Sequence, residues 1–143
     1  NFPQENISFS KKKYTFRGIH IQSKNPQAKI LHILKGDAIS YVVDLRKDSL
    51  TFGNYIKVKL LSQQHFILFI SEGFGHGLLT LNENVLIKYK VSKKYSKNHS
   101  INIAYDDKDI NIKIHPLIKK KLLLSDADKK GISLNDYKRK FIK

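Results

Sequence analysis

Short segments that are apolar or that alternate between apolar and polar residues recur along this chain at even intervals. Residues 30–34 form one such segment, residues 38–44 form the next, and residues 55–61 alternate between apolar positions and lysines. Segments of this length and periodicity predict β-strands. Because many short strands at even spacing are typical of a sandwich or barrel, we predict an all-β fold.

The turn signals between these segments predict how the strands connect. Lys35-Gly36-Asp37 separates residues 30–34 from residues 38–44, so we expect these two strands to pair as a hairpin. The continuous apolar run at residues 66–70 predicts a buried strand. The remaining predicted strands are residues 78–81, 85–91, 101–105 and 110–114.

The C-terminal end of the chain has a helical signature instead. Ser133-Leu134-Asn135-Asp136 is similar to a capping box and predicts a short helix that continues to Ile142. With 143 residues, of which 41% are hydrophobic, the chain fits one domain with a core of its own. We therefore expect a single domain over residues 1–143.

The composition excludes some classes of protein. Because there is no cysteine, neither a disulfide framework nor a thiolate metal site is possible. No apolar run is long enough to span a bilayer. The start, Asn1-Phe2-Pro3-Gln4, lacks a basic segment followed by an apolar one, so we expect no signal peptide. These features predict a cytoplasmic protein without a membrane partner.

The net charge of +15 favours an anionic partner, either nucleic acid or a metabolite that carries a diphosphate. It also fits a chain that is simply rich in lysine, isoleucine and asparagine. The lysines are spread along the sequence, and the chain has neither an RNA-binding aromatic signature nor a recognition-helix pattern. We therefore do not expect nucleic acid to be the partner.

Two stretches place a histidine beside glycine, which allows tight turns and close approach of a ligand. They are Arg17-Gly18-Ile19-His20-Ile21-Gln22 and Glu72-Gly73-Phe74-Gly75-His76-Gly77. The first leads to Gln27-Ala28-Lys29, and Val43-Asp44-Leu45-Arg46 precedes the second. In this order and spacing, the motifs resemble the dTDP-4-dehydrorhamnose 3,5-epimerase family of nucleotide-sugar enzymes, from Gln4 to about Asp128.

The resemblance implies a cupin-type jelly roll, usually a homodimer, and an isomerase activity. The implied substrate is a nucleoside-diphosphate 4-keto-6-deoxy sugar, and the implied reaction is deprotonation and reprotonation at C3 and C5. It would convert dTDP-4-dehydro-6-deoxy-D-glucose to dTDP-4-dehydro-L-rhamnose, which feeds surface polysaccharide synthesis. Members of the family normally carry a further N-terminal stretch ahead of the Gln4 segment, and this sequence begins almost at Gln4. We therefore expect either a fragment of a longer protein or a reduced relative.

The resemblance also assigns the catalytic groups. His20 matches the base, because imidazole titrates near neutral pH and can accept a proton from carbon. Asp128, in Leu124-Ser125-Asp126-Ala127-Asp128, matches the carboxylate that orients this base. Lys29 matches the lysine that stabilises the enolate oxygen. Tyr89 matches the tyrosine that donates a proton on the far face of the sugar ring.

Further residues match positions that contact the substrate in the family. Arg17 matches an arginine that faces the diphosphate, since the guanidinium fork suits phosphate oxygens. Lys94 replaces one of two adjacent tyrosines that shape the sugar pocket, so whether both carbons are epimerised is open. Asp44 is expected to pair with either Lys29 or Arg46. The full set of predicted substrate contacts is Arg17, Gln4, Asn6, His76, Gln22 and Lys94.

Neither a metal nor a cofactor is predicted. Many cupins hold an ion through a His-x-His pair, but Gln22 occupies the place of the second histidine. There is no Gly-x-Gly-x-x-Gly motif for a dinucleotide. Two other functions remain open, which are a C3-only epimerase acting on a related nucleotide sugar and a cupin that binds a nucleotide sugar without turnover.

Overall fold

The computed structural model describes residues 1–142, and this part of the chain contains nine strands and three α-helices. The helices are short and all follow the last strand: α1 Pro116–Lys119, α2 Asp126–Lys129 and α3 Leu134–Phe141. The strands are β1 Gln4–Ser10, β2 Phe16–Gln22, β3 Lys29–Lys35, β4 Asp37–Asp44, β5 Tyr55–Leu61, β6 Leu68–Ile70, β7 Phe74–Thr80, β8 Val85–Val91 and β9 Ser100–Asn102.

The strands form two antiparallel sheets that pack as a jelly-roll sandwich. The four-stranded sheet has the order β1-β8-β3-β6, and the five-stranded sheet has the order β5-β4-β7-β2-β9. The prediction of an all-β jelly roll of the cupin type with a short C-terminal helix is confirmed.

The predicted hairpin between residues 30–34 and 38–44 is wrong. Both segments are strands, but β3 pairs with β8 and β6, whereas β4 pairs with β5 and β7. The turn at Gly36, where φ is 77°, carries the chain from one sheet to the other. A turn signal reports a change of direction, and the partner of each strand depends on residues far away in sequence.

The apolar residues divide between the two faces of the five-stranded sheet. Alternate residues of β4 point to opposite faces, as in any strand. Ala38 and Val42 face the four-stranded sheet and pack against residues such as Ile33, Leu31 and Ile87. Tyr41 and Val43 face the other way, where the C-terminal segment covers them with Ile101, Ile103, Ile110, Ile112, Leu134 and Tyr137.

Three predicted strands differ from the structure. In the segment 101–105, only residues 101 and 102 belong to a strand. In the run 66–70 only Leu68–Ile70 forms a strand, at the edge of its sheet, and Phe69 is 60% exposed. The expected buried strand is therefore wrong. Residues 110–114 form no strand, although Ile110 and Ile112 are buried. Asp107 accepts hydrogen bonds from the backbone N–H groups of Asp109 and Ile110, which turns the chain before this segment.

The predicted capping box is present at the start of α3. The Ser133 hydroxyl accepts a hydrogen bond from the Asp136 backbone N–H at 3.0 Å, and it donates to the Asp136 carboxylate at 3.0 Å. This arrangement satisfies a backbone donor that a helix start leaves free.

The open alternative for Asp44 is decided in favour of Arg46. Arg46 donates from Nε at 3.0 Å and from Nη2 at 2.7 Å to the Asp44 carboxylate, and Ser49 and Thr51 also donate to it. The hydrogen bonds from Arg46 hold the pKa of Asp44 well below its usual range. No helix among residues 1–142 has the length and apolar character needed to cross a membrane.

Candidate active site

A cavity of about 620 Å³ lies between the two sheets and is lined by residues of both. A second cavity of about 220 Å³ shares four of its residues, Arg17, His20, Lys29 and Tyr89. We call these the large cavity and the small cavity. The small cavity is also lined by Ser8, Leu31, His76, Leu78 and Ile87. The four shared side chains therefore lie where the two spaces meet.

His20 and Asp128 form a hydrogen-bonded pair on one wall of the large cavity. His20 lies on β2, and its Nε2 is 2.8 Å from Oδ1 of Asp128, which lies in α2, 108 residues later. The His20 side chain is 45% exposed, whereas Asp128 is 5% exposed. The imidazole is thus open to a ligand while its carboxylate partner is buried behind it.

Hydrogen bonds from several elements hold the Asp128 carboxylate in place. Its Oδ1 accepts from the Gly18 backbone N–H at 3.1 Å and from Asn102 Nδ2 at 3.2 Å, and its Oδ2 accepts from the Ser125 hydroxyl at 2.7 Å. Burial alone raises the pKa of Asp128, but the hydrogen bonds from His20, Ser125 and Gly18 outweigh burial and leave the pKa below its usual value. Asp128 therefore carries a negative charge at neutral pH.

Gly18 allows the backbone to approach this carboxylate. Its φ is 110°, a conformation that residues with a Cβ rarely adopt, and an added Cβ would overlap the backbone oxygen of His76. We expect Gly18→Ala to lower the free energy of unfolding by about 3 kcal/mol or more, because backbone strain and a clash with a rigid atom combine. Thermal unfolding measures this loss.

The matched control is Gly53→Ala. Gly53 also has a positive φ, 83°, but a Cβ there meets only the end of the Leu134 side chain. This variant should lose clearly less stability than Gly18→Ala. Equal losses would show that the contact with His76 has no special cost.

Lys29 is buried at the start of β3. Burial lowers its pKa from 10.5 to about 8, because the charged ammonium is removed from water. No salt bridge joins Lys29 to a carboxylate anywhere in residues 1–142. A buried cation without a counter-ion favours binding of negative charge in the adjoining cavities.

Tyr89 lies on the opposite wall from His20. It belongs to β8 of the four-stranded sheet, whereas His20 belongs to β2 of the five-stranded sheet, and both line the two cavities. Burial raises the pKa of Tyr89 above its ordinary value, and the nearby charge of Arg17 acts in the opposite direction. A base and a phenol therefore face the same space from two sheets.

His76 lines the small cavity rather than the large one. It pairs in register with His20 across β7 and β2, so the two imidazoles belong to neighbouring strands. Burial lowers the pKa of His76 well below its ordinary value, and electrostatic interactions with Lys29 and His20 lower it further. His76 is therefore uncharged at neutral pH.

Besides Gln22, three other predicted substrate contacts line the large cavity: Gln4, Asn6 and Arg17. Gln4 donates from Nε2 to Asn6 Oδ1 at 3.0 Å, and its Oε1 accepts from the Tyr95 backbone N–H at 2.8 Å. Arg17 donates from Nε to the Ser10 hydroxyl at 3.2 Å. These contacts fix the three polar side chains at the rim of the cavity.

Gln22 also lines the large cavity, but its amide is engaged in hydrogen bonds within the protein. Gln22 is 4% exposed, and its amide is used in contacts with the Asn25 and Lys94 backbone oxygens and the Ser96 backbone N–H. Gln22 thus attaches the segment after β8 to β2. The Lys94 side chain is exposed and lines neither cavity, whereas the adjacent Tyr95 lines the large one.

Sequence reasoning gave no role to the side chains of Asn102 and Ser125, which both hold Asp128. Asn102 lies on β9 in register with His20, and its Nδ2 also donates to the Ala127 oxygen at 2.8 Å. Ser125 precedes Asp128 by three residues and caps α2, and that spacing is a detectable signal. Asn102 has no such local signal, because only the pairing of β9 with β2 brings it to the site.

Within residues 1–142, no three His, Asp or Glu side chains come together as a set that could bind a metal ion. The prediction that the protein works without a metal or cofactor stays a prediction. The side chains that line the two cavities carry amines, a guanidinium, imidazoles, phenols, amides, hydroxyls and the carboxylate of Asp128.

The fold and this cavity define a jelly-roll protein in which a His–Asp pair and a phenol face one space from two sheets, and comparison with known proteins specifies the family. The model of the dTDP-4-dehydrorhamnose 3,5-epimerase family matches residues 1–136. A relative from Methanothermobacter thermautotrophicus, a dTDP-4-dehydrorhamnose 3,5-epimerase, is 34% identical over 90% of this chain and 69% of its own length. The chain belongs to the dTDP-4-dehydrorhamnose 3,5-epimerase family.

Solved structures agree with this assignment. A dTDP-6-deoxy-D-glucose-3,5-epimerase from Legionella pneumophila, in complex with dTDP-4-keto-L-rhamnose, has a TM-score of 0.87 and 31% identity, over 94% of this chain and 70% of its own. A 3'-monoepimerase from Streptomyces bikiniensis, in complex with dTDP-quinovose, has a TM-score of 0.88 and 28% identity, over 96% and 69%. The chain spans 61–70% of the length of three curated relatives.

Proposed function

We propose that this protein epimerises a dTDP-linked 4-keto-6-deoxy sugar at C3 and C5, converting dTDP-4-dehydro-6-deoxy-D-glucose to dTDP-4-dehydro-L-rhamnose. One observation carries the proposal. The hydrogen-bonded pair His20–Asp128 and the phenol of Tyr89 face a shared cavity from opposite sheets, with the buried Lys29 lining the same space. Epimerisation requires this arrangement, because a proton leaves one face of a ring carbon and another arrives on the opposite face.

Each step of the reaction has a candidate group. The C4 carbonyl of the sugar acidifies the protons on C3 and C5, and His20 removes one of them as a general base. The charge of Asp128 stabilises the imidazolium that forms, and its hydrogen bond fixes the ring orientation. The Lys29 ammonium stabilises the enolate oxygen. Tyr89 then donates a proton to the carbon from the other side.

The nucleotide part of the substrate fits the large cavity. Arg17 lies where the large cavity meets the small one, and its guanidinium suits the oxygens of a diphosphate. Gln4 and Asn6 offer amides, and Tyr95 offers an aromatic ring beside them. Lys97 adds a second positive charge to the lining. The sugar would then occupy the small cavity, next to His20, Lys29 and Tyr89.

Deuterium incorporation tests the proposed reaction. With a dTDP-4-keto-6-deoxy sugar in D₂O, we expect solvent deuterium to appear at both C3 and C5 of the product, followed by NMR and mass spectrometry. Binding of dTDP without any exchange would contradict turnover and identify a nucleotide-sugar-binding protein.

A second candidate is epimerisation at C3 alone. The structural similarity to a 3'-monoepimerase favours testing it. Deuterium at C3 with none at C5 after many turnovers would establish this reaction, and label at both carbons would exclude it.

The pKa of Lys29 predicts an alkaline limit of activity. Because burial lowers this pKa to about 8, the ammonium is lost as the pH rises through that value. We expect kcat/KM to fall about tenfold per pH unit above about 8, since only the charged form stabilises the enolate. Initial rates between pH 7 and 10 measure this limit.

The matched variant for the pH profile is Lys29→Arg. A guanidinium stays charged throughout this pH range, so the alkaline limit should move upward even where the absolute rate falls. An unchanged alkaline limit in Lys29→Arg would assign the pH dependence to another group.

We further propose that the protein is a homodimer joined through the outer face of the four-stranded sheet. Ile7 and Phe9 on β1, Leu34 on β3 and Phe69 on β6 alternate outward and are 66%, 53%, 43% and 60% exposed. Lys88 and Lys90 of the intervening strand β8 lie on the same face and form salt bridges with Glu5. Exposed apolar side chains on one face mark interaction surfaces. A face that carries apolar side chains and charges of both signs can be self-complementary in a two-fold dimer.

We expect Phe9→Lys and Phe69→Lys to shift the protein from dimer to monomer at micromolar concentration, because each places a charge in an apolar interface. Sedimentation velocity measures the change. Leu50→Lys is the control, since Leu50 is fully exposed in a loop away from this face and should leave the dimer intact. A monomeric unmodified protein, or dimers in all three variants, would contradict this interface.

A further inference from the structure

Ser40 lies behind His76 in the sheet and was not identified from sequence. It is on β4, its exposed fraction is 0%, and its Oγ is 2.8 Å from Nε2 of His76. His76 in turn lines the small cavity together with Lys29 and Tyr89. The hydroxyl therefore contacts Nε2 of the imidazole, and no described residue forms a hydrogen bond with Nδ1.

Ser40 has one hydrogen-bonding partner among the described residues, and this decides the direction of the bond. If His76 Nε2–H donated to Ser40, the buried hydroxyl proton of Ser40 would have no acceptor. A buried donor without a partner costs about 1–3 kcal/mol. If Ser40 donates to Nε2 instead, a second lone pair on its oxygen stays unused, which is better tolerated. The one N–H without a protein acceptor then belongs to His76, which lines the small cavity, and not to the fully buried Ser40. The hydroxyl is therefore the donor.

This direction fixes the position of the imidazole proton. A neutral imidazole carries one proton, so an Nε2 that accepts leaves the proton on Nδ1. A neutral hydroxyl behind the ring, rather than a carboxylate, adds no charge that would favour the imidazolium. Burial together with the charge of Lys29 also disfavours that form. His76 is then a neutral ring with one N–H that no described residue accepts.

We propose that Ser40 is a positioning residue that holds His76 as the Nδ1–H tautomer, so that His76 donates a hydrogen bond to an oxygen of the bound sugar in the small cavity. The part that concerns the sugar rests on the proposed function, whereas the tautomer does not. With this tautomer, Lys29 supplies the positive charge at the oxygen and His76 supplies a second, uncharged donor. An uncharged donor avoids placing a second cation beside Lys29. Two neighbouring cations would repel each other, and each would be a weaker partner for the oxygen.

The first test uses the unmodified protein labelled with ¹⁵N-histidine. Long-range ¹H–¹⁵N correlation spectra distinguish a protonated from an unprotonated ring nitrogen, and the loss of one spin system in His76→Gln assigns His76. We expect protonated Nδ1 and unprotonated Nε2 at pH 7.5. Protonated Nε2 would overturn the proposal, whether or not the protein is an epimerase.

The second test removes the hydroxyl. In Ser40→Ala, we expect His76 to become a mixture of tautomers and kcat/KM for deuterium exchange to fall about tenfold, as for the loss of one hydrogen bond. Ser40→Thr keeps a hydroxyl and should keep the Nδ1–H tautomer. If Ser40→Ala does not fold, Ser40→Thr takes its place as the test. An unchanged Nδ1–H tautomer in folded Ser40→Ala would overturn the proposal.

A double-mutant cycle separates this role from a general effect on packing. If Ser40 acts through His76, the tenfold effect of Ser40→Ala should disappear in the His76→Gln background. The same loss in both backgrounds would show that Ser40 acts by another route. If the unmodified protein shows the predicted tautomer but no exchange, the proposed reaction fails while the assignment of Ser40 stands.

Discussion

The His20→Asn variant should lose about 10³- to 10⁴-fold in the rate of deuterium exchange at the sugar carbons, because a positioned general base contributes a factor of this order. Asparagine cannot accept a proton in this pH range, but its amide can still donate toward Asp128. The variant should keep its fold, since His20 is 45% exposed and few contacts depend on it.

The remaining partners of Asp128 make this a clean comparison. The backbone N–H of Gly18 and the side chains of Asn102 and Ser125 still donate to the carboxylate when His20 is replaced. We expect dTDP affinity within about threefold of the unmodified protein, because the nucleotide contacts lie elsewhere in the large cavity. Exchange at the unmodified rate in a folded His20→Asn protein would exclude His20 as the base.

Lys29→Met should change activity and stability in opposite directions. The exchange rate should fall about 10²- to 10³-fold, as when one donor to an oxyanion is removed. The free energy of unfolding at pH 7 should rise by about 2 kcal/mol, because methionine has a similar length and no buried charge. A residue kept at a cost in stability is expected at a functional site.

The direction in which stability changes with pH follows from the pKa of Lys29. Burial lowers the pKa of Lys29 to about 8 in the folded protein, whereas the ordinary pKa of a lysine is 10.5. Between these values the unfolded chain binds more protons, so the contribution of Lys29 to stability rises with pH. The advantage of Lys29→Met should therefore be full below pH 8 and shrink toward pH 10.5, as urea unfolding can measure.

An exposed lysine provides the control for both effects. Lys57 lies on the edge strand β5 and faces solvent. Lys57→Met should alter neither the exchange rate nor the pH dependence of unfolding beyond about 0.5 kcal/mol. If Lys29→Met lowered stability at pH 7, the picture of a costly buried ammonium would be wrong.

Local sequence signals predicted most of the strands and the start of the last helix. The alternation of Lys57, Val58 and Lys59 identifies β5, and the Ser133–Asp136 spacing identifies α3. Such signals succeed because the side-chain period of a strand and the unpaired N–H groups of a helix start are properties of a few neighbouring residues.

The same signals failed where a distant part of the chain decides the structure. Phe69 is apolar but lies on the outer face of an edge strand, and residues 110–114 are apolar without forming a strand. In both segments, the apolar residues predicted contact with an apolar surface. They did not specify which other segment of the chain would form backbone hydrogen bonds with them. That choice depends on the pairing of the whole sheet.

By itself, the sequence determined the all-β class, the positions of most strands and, through the family resemblance, the identities of His20, Asp128, Lys29 and Tyr89. Only the tertiary structure decided which strands share a sheet and which side chains meet. His20 and Asp128 are 108 residues apart and come within 2.8 Å because β2, β9 and α2 pack together. Ser40 and Asn102 reach the site in the same way, through strand register, which no local pattern encodes.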